Sequence, residues 1–170
     1  MKKYFIIFLL IGTNFILFSN DNLILNPRKK YPFGTNVGLL GPSGHLSVAV
    51  NAFVVPKINV ELGAGVFNFN NSFIPSSFLG VKYHFGGNFI SRATFYLGVY
   101  DAMSFDFQNH NLYFPLGINR IKKNHLTWSV EIAFQPTKVY YNSTLWGAFK
   151  VGYQFGFNKK QKKNFFNKKS

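Results

Sequence analysis

Ile58-Asn59-Val60-Glu61-Leu62-Gly63-Ala64-Gly65-Val66-Phe67 alternates without a break. Ile58, Val60, Leu62, Ala64 and Val66 fall on one face of an extended chain; Asn59, Glu61, Gly63 and Gly65 fall on the other. Successive side chains of a strand point to opposite sides, so this period predicts a β-strand with one apolar face and one polar or small face. The same period recurs at His45 to Val54 and in Leu79, Val81, Tyr83 and Phe85 against Gly80, Lys82 and His84. Downstream it returns around Phe95 to Tyr100, Leu112 to Asn119, Leu126 to Phe134 and Phe149 to Phe157, which makes seven strands and an all-β chain.

Alternation alone fits a soluble barrel with an apolar interior as well as one with its apolar face outside. The composition of the second face separates them. Gly63, Gly65, Gly80, Gly98, Gly117, Gly152, Ala49 and Ala133 lie there, and small residues suit a narrow interior on which strands converge. A water-facing surface would instead carry many Lys, Glu and Thr. Charged residues are 14% of the chain and aromatics 19%, with 22 Phe, whereas a soluble surface is about 25 to 35% charged. Hydrocarbon admits only helices and closed barrels, and the chain after its N-terminal segment has no apolar run of about 20 residues. The expectation is an antiparallel up-and-down transmembrane β-barrel.

The N-terminal segment opens Met1-Lys2-Lys3, continues apolar from Tyr4 to Phe18, and then reads Ser19-Asn20-Asp21-Asn22. A basic start and a short apolar core predict a secretory signal peptide over residues 1–19, with an uncleaved anchor as the alternative. Residues 34–157 form the barrel domain, and 158–170 a Lys-rich tail. The net charge of +14 resembles a nucleic-acid binder's until it is mapped. Lys2 and Lys3 leave with the leader and six Lys lie in the tail, so the excess lies outside the strands and no nucleic-acid partner is expected. The chain has no Cys, which excludes disulfides, thiolate metal sites and a lipidated N-terminal Cys.

Bacterial single-chain barrels have an even strand number, with short turns on the periplasmic side and longer outer loops. The connections read as short at Val55 to Lys57, Gly86 to Ser91 and Arg120 to Asn124, and long at Asn68 to Ser76, Met103 to His110 and Gln135 to Thr144. Parity then asks for an eighth strand before His45, and Thr35 to Leu40 is the candidate. One long strand bent at Gly41-Pro42-Ser43-Gly44 is the alternative. Pro115 lacks a ladder donor and is expected at a bulge near the outer rim.

The last strand reads Lys150-Val151-Gly152-Tyr153-Gln154-Phe155-Gly156-Phe157. Lys150, Gly152, Phe155 and Phe157 resemble the polar-x-Gly-x-x-aromatic-x-aromatic signal by which the barrel assembly machinery recognises a final strand. With the leader, the stretch from Phe33 to Phe157 is similar to small outer-membrane barrels of the OmpA-like and OmpX-like type. The resemblance implies an eight-stranded barrel in a bacterial outer membrane, monomeric, contacting outer-membrane lipids and the assembly machinery. Members usually end on the aromatic, whereas this chain continues to Ser170.

Glu61, Lys82, Glu131 and Lys150 share the inward face and come from four strands, so a salt-bridged plug is their expected use, with an ion or proton path as the alternative. Asp106, His110 and Ser143 are the residue types of a hydrolytic triad, but no motif fixes their geometry. The four His are scattered singly, which gives no metal-ligand spacing. Phe67, Phe69, Phe73, Phe105, Phe107, Tyr140 and Tyr141 are expected in an aromatic girdle. Asn70 and Asn142 begin N-x-[ST] sequons that carry no expectation in a bacterial chain. The reading is a structural or surface-interaction protein without catalysis, metal or cofactor; the alternatives are a rim-located lipid-modifying enzyme and a small-solute channel.

Overall fold

The computed structural model describes residues 26–41, 44–69, 72–85, 93–105, 110–136 and 144–156. Among them one helical turn, α1 (Pro27–Lys30), precedes eight strands: β1 (Phe33–Leu39), β2 (Leu46–Val55), β3 (Ile58–Phe69), β4 (Ser72–His84), β5 (Ala93–Ser104), β6 (His110–Ile121), β7 (Leu126–Phe134) and β8 (Leu145–Phe155). Each strand pairs antiparallel with the next, and β8 pairs with β1, which closes the barrel. Following the register once around returns to β1 displaced by about ten residues. With eight strands this stagger gives a tilt near 40° and an interior just wide enough for side chains.

β1 is a strand in its own right. Val37 pairs with Val48 on one side and Val151 on the other. The bent-strand alternative fails because the chain reverses between Leu39 and Leu46: Leu40 takes φ 54° and Gly44 φ 111°, and Leu40 N–H donates to His45 O at 2.9 Å. Gly44 is required there, since a Cβ would lie 2.3 Å from the Val66 carbonyl oxygen.

The connection lengths correct the expected regular alternation. Asn68 to Ser76 is not a long loop, because β3 and β4 run on until Phe69 pairs with Ser72. Residues 86–92, where a short turn is expected, lie outside the described residues, and Phe85 N–H still donates across to Phe95 O at 2.9 Å. Both termini of the barrel nonetheless lie at one end, here the terminal rim; β1–β2, β3–β4, β5–β6 and β7–β8 are joined at the other, the loop rim. Pro115 is also corrected. It lies in the body of β6, pairs with Ala133 of β7, and causes no register shift; instead the β5–β6 ladder has no partners assigned between Leu97/Leu116 and Tyr100/Tyr113. The missing proline N–H accounts for such a gap.

The strands present their two faces to opposite surroundings. Outward stand Val37, Val48, Leu62, Leu79, Leu97, Leu116 and Ile132, each about half exposed. Inward, polar and aromatic side chains fill the lumen in tiers. Arg28, His84 and Thr94 lie toward the terminal rim, Glu61, Lys82, Glu131 and Lys150 in the middle, and Phe78, Tyr100, Ala102 and Tyr113 toward the loop rim. Phe67 belongs with this interior and not with a girdle: it is buried against Ile74. Phe73 and Phe105 are exposed. Phe107, Tyr140 and Tyr141 lie outside the described residues, as do residues 1–25, the leader among them, and the tail.

Candidate functional site: the charged lumen

Glu61 is the hub of the middle tier. It reaches the lumen because odd positions of β3 face inward, and its Oε2 lies 2.5 Å from Lys82 Nζ on β4. Its Oε1 accepts from Lys150 Nζ of β8 at 3.1 Å. The Tyr100 hydroxyl donates to Glu61 Oε2 at 2.8 Å. Lys150 also pairs with Glu131 Oε1 of β7 at 3.2 Å, and the Tyr96 hydroxyl donates to Glu131 Oε2 at 2.5 Å. The four charges expected from the sequence are therefore brought together into one network, two acids against two bases, each nearly inaccessible to solvent. A lone charge in such a place would be costly, while pairs that also satisfy their remaining lone pairs are sustained.

Two glycines make room for the tyrosines. Gly80 pairs with Tyr100, and a Cβ on Gly80 would sit 2.2 Å from the Tyr100 ring. Gly117 pairs with Tyr96, and its Cβ would sit 2.7 Å from the Tyr96 hydroxyl. Each ring lies across the floor that its glycine leaves open, so that the phenol reaches a carboxylate. Lys150 Nζ also stands 4.7 Å from the Tyr100 ring centre and Lys82 Nζ 5.0 Å from that of Tyr96, close enough for cation–π attraction. The tyrosines were legible only as bulky inward residues. The signal for their role was the occurrence of Tyr opposite Gly on neighbouring inward strands.

A second polar tier lies toward the terminal rim. α1 turns Arg28 into the barrel mouth, where Nη2 donates to Thr94 Oγ1 at 2.6 Å and to Asn119 Oδ1 at 3.4 Å. The guanidinium stands 5.6 Å from the Phe53 ring centre, and burial lowers its pKa to about 10, which leaves it charged at neutral pH. Thr94 Oγ1 also meets His84 Nδ1 at 2.9 Å. Asn51 Oδ1 accepts from Asn59 at 3.2 Å and from Gln154 at 3.0 Å. Arg28 carried no sequence signal, because it precedes the first alternating segment.

A cavity between Glu61, Lys82, His84 and Gln154, among others, gives the centre of a water molecule about 20 Å³ to move in, which is room for about one water. Toward the loop rim Phe78, Tyr100 and Tyr113 fill the section, with Tyr100 wholly inaccessible.

Of the three residue types of a hydrolytic triad, only His110 is among the described residues. Asp106 and Ser143 lie outside them, and His110 Nδ1 faces Asp101 instead, at 3.0 and 3.1 Å from its two carboxylate oxygens. That pair stands exposed on the outer face near the loop rim. Of the assembly-signal residues, Lys150 is committed to the charge network and Gly152 faces inward against the Thr35 carbonyl. Phe155 faces outward, 6.3 Å from Phe33, and Phe157 lies outside the described residues. No group of three or more metal-ligating side chains occurs among the described residues. Compared with known proteins, the chain matches no family profile and shows no significant similarity to any curated protein.

Proposed function

We propose that the chain is a bacterial outer-membrane barrel, monomeric and non-catalytic, with a closed lumen and a structural or surface-interaction role carried by its rims. The observation behind this reading is the inversion of polarity: charged and hydrogen-bonded groups inside, large aliphatic and aromatic side chains outside on every strand. Exposed apolar patches on soluble monomers rarely exceed a few hundred Å², whereas here the apolar face runs all the way round. Along β8 it extends from Leu145 to Phe155, which at the tilt above spans about 20 to 25 Å, close to the apolar band of outer-membrane barrels. Aromatics border it at both ends. Phe33, Tyr83, Phe85, Phe95 and Phe155 lie toward the terminal rim, Phe73, Phe105 and Phe134 toward the loop rim, as interfacial girdles do. The leader and the final-strand signal support the same location. A channel is disfavoured by the filled lumen.

Fractionation of cells producing the full chain tests this. The protein should be recovered with the outer membrane and run at a different gel position before and after boiling, and vesicles containing it should retain small ions. Recovery as a soluble species without detergent would refute the membrane reading; ion release would refute the closed lumen.

A further inference from the structure

The two rims differ in charge. Lys29 and Lys30 of α1, Lys57 of the β2–β3 turn, Arg120 at the end of β6, and Lys122 and Lys123 of the β6–β7 turn gather at the terminal rim. All are exposed or half-exposed. The acids among the described residues are Glu61 and Glu131, held in the lumen, and Asp101, near the loop rim.

Aromatic side chains lie directly beside them. Lys30 Nζ is 5.1 Å from the Tyr31 ring centre. The Tyr31 and His125 ring centres lie 4.0 Å apart with the planes tilted by 35°, and the Tyr153 hydroxyl meets His125 Nδ1 at 3.1 Å. Arg120 pairs across strands with Trp128. Beyond Gly156 the sequence adds six Lys around Phe165-Phe166 with no acid, a composition suited to a charged apolar–aqueous boundary. Tyr and Trp settle at headgroup depth, and cations just beyond them meet phosphate.

Resting on the membrane reading above, we infer that the terminal rim binds the anionic headgroups of phospholipids in the leaflet at that end of the barrel. The charge complementarity favours a phosphodiester headgroup carrying a net negative charge, such as phosphatidylglycerol, over zwitterionic phosphatidylcholine. Each Lys or Arg near such a surface raises association about fivefold.

The test uses the full mature chain folded into phosphatidylcholine vesicles, with spin-labelled phosphatidylglycerol or phosphatidylcholine as the probe lipid. The fraction of label immobilised at the protein surface gives the selectivity. Phosphatidylglycerol should be preferred by at least about fivefold, and the preference should vanish near 1 M salt, where the screening length is about 3 Å. It should also fall in the variant Lys29→Gln/Lys30→Gln/Lys57→Gln/Lys122→Gln/Lys123→Gln. A pair of variants, Lys122→Gln and Lys123→Gln in an exposed turn, gives a smaller loss with little risk to folding. Equal immobilisation of the two lipids, or a preference untouched by the rim variants, would overturn the inference. So would a preference abolished by ending the chain at residue 157, because the tail and not the rim would then be the site. Failure to enter vesicles at all would instead sink the membrane reading, and the inference with it.

Discussion

Replacing Glu61 by Gln removes the hub of the lumen while keeping its shape. Glu61 receives Lys82 at 2.5 Å, Lys150 at 3.1 Å and the Tyr100 hydroxyl at 2.8 Å. Charge-assisted hydrogen bonds contribute about 1.5 to 3 kcal/mol each, but a Gln amide oxygen still accepts one of them. The dominant cost is the ammonium left behind: Lys150 keeps Glu131 at 3.2 Å, and Lys82 then has no neutralising carboxylate of its own. Breaking a buried pair from one side costs about 3 to 5 kcal/mol, which is the loss expected for Glu61→Gln. Adding Lys82→Met removes the surplus charge and fills its space with an apolar chain, so the double variant should recover about 2 to 3 kcal/mol of it.

Urea unfolding from lipid vesicles, followed by fluorescence of Trp128 and Trp146, measures all four corners of this cycle. A single-variant loss below about 1 kcal/mol with no coupling to Lys82→Met would mean that the pair is screened as at a protein surface. The lumen would then be a hydrated pore, and the closed-plug reasoning would fail.

Leu62→Arg, on the outward face of β3 where Leu62 is 55% exposed, should cost about 2 to 4 kcal/mol in vesicles; tolerance of the change would favour water outside the barrel. Gly117→Ala places a methyl 2.6 Å from the Val130 carbonyl oxygen and should destabilise by about 1 to 3 kcal/mol, while Gly147→Ala, with nothing within 4 Å, should be near neutral in the same unfolding assay. Arg28→Met loses the bonds to Thr94 and Asn119 and should free α1, read as faster tryptic cleavage after Lys29 and Lys30 in the folded protein; an unchanged rate would show that α1 is held by other contacts. Cysteines at positions 37 and 151, which pair across the seam, should cross-link in the native chain, and a pair at 37 and 149 should not. Removal of the lumen charges at Glu61, Lys82, Glu131 and Lys150 together should let the second pair form; its continued absence would show that register is fixed elsewhere.

The barrel was legible because each strand separates two environments and the alternation records both. The Gly-rich inward face of Ile58 to Phe67 betrayed the narrow interior, and all four network charges followed from phase alone. β1 was faint because Phe33–Leu39 is short and interrupted by Gly34 and Gly38; its identity lies in pairing with both β2 and β8, which local sequence does not express. Asn68, Ser72, Pro75 and Ser76 have the composition of a loop but lie in strands, since cross-strand pairing with the opposing segment outweighs weak local preference there. Loop length was therefore a poor guide to this chain, although the parity it suggested agrees with the closed sheet. The reach of Arg28 into the mouth, and the contact of His110 with Asp101, depend on three-dimensional position and leave no periodic trace.

The network also bears on how the barrel finds its register. A slip of one residue turns every side chain to the wrong face and is penalised by both environments. A slip of two restores the alternation, and an outer face made of Val, Leu, Ile and Phe meets hydrocarbon equally well in either position. On the proposed location, lipid therefore cannot distinguish the native register from its neighbour two residues away. Only the interior can. At the β8–β1 seam, where the first and last strands meet, Lys150 stands opposite Gly38 and reaches both Glu61 and Glu131. A two-residue shift at this seam would carry the ammonium along the barrel by about 7 Å of strand relative to β3, out of range of Glu61, while Glu131 on the adjacent β7 would move with it. Gly80 beneath Tyr100 and Gly117 beneath Tyr96 impose the same choice on the β4–β5 and β5–β6 pairs. A buried ionic cluster of this kind gains little stability over an apolar filling; what it supplies here is discrimination between registers that the outward face treats as equivalent.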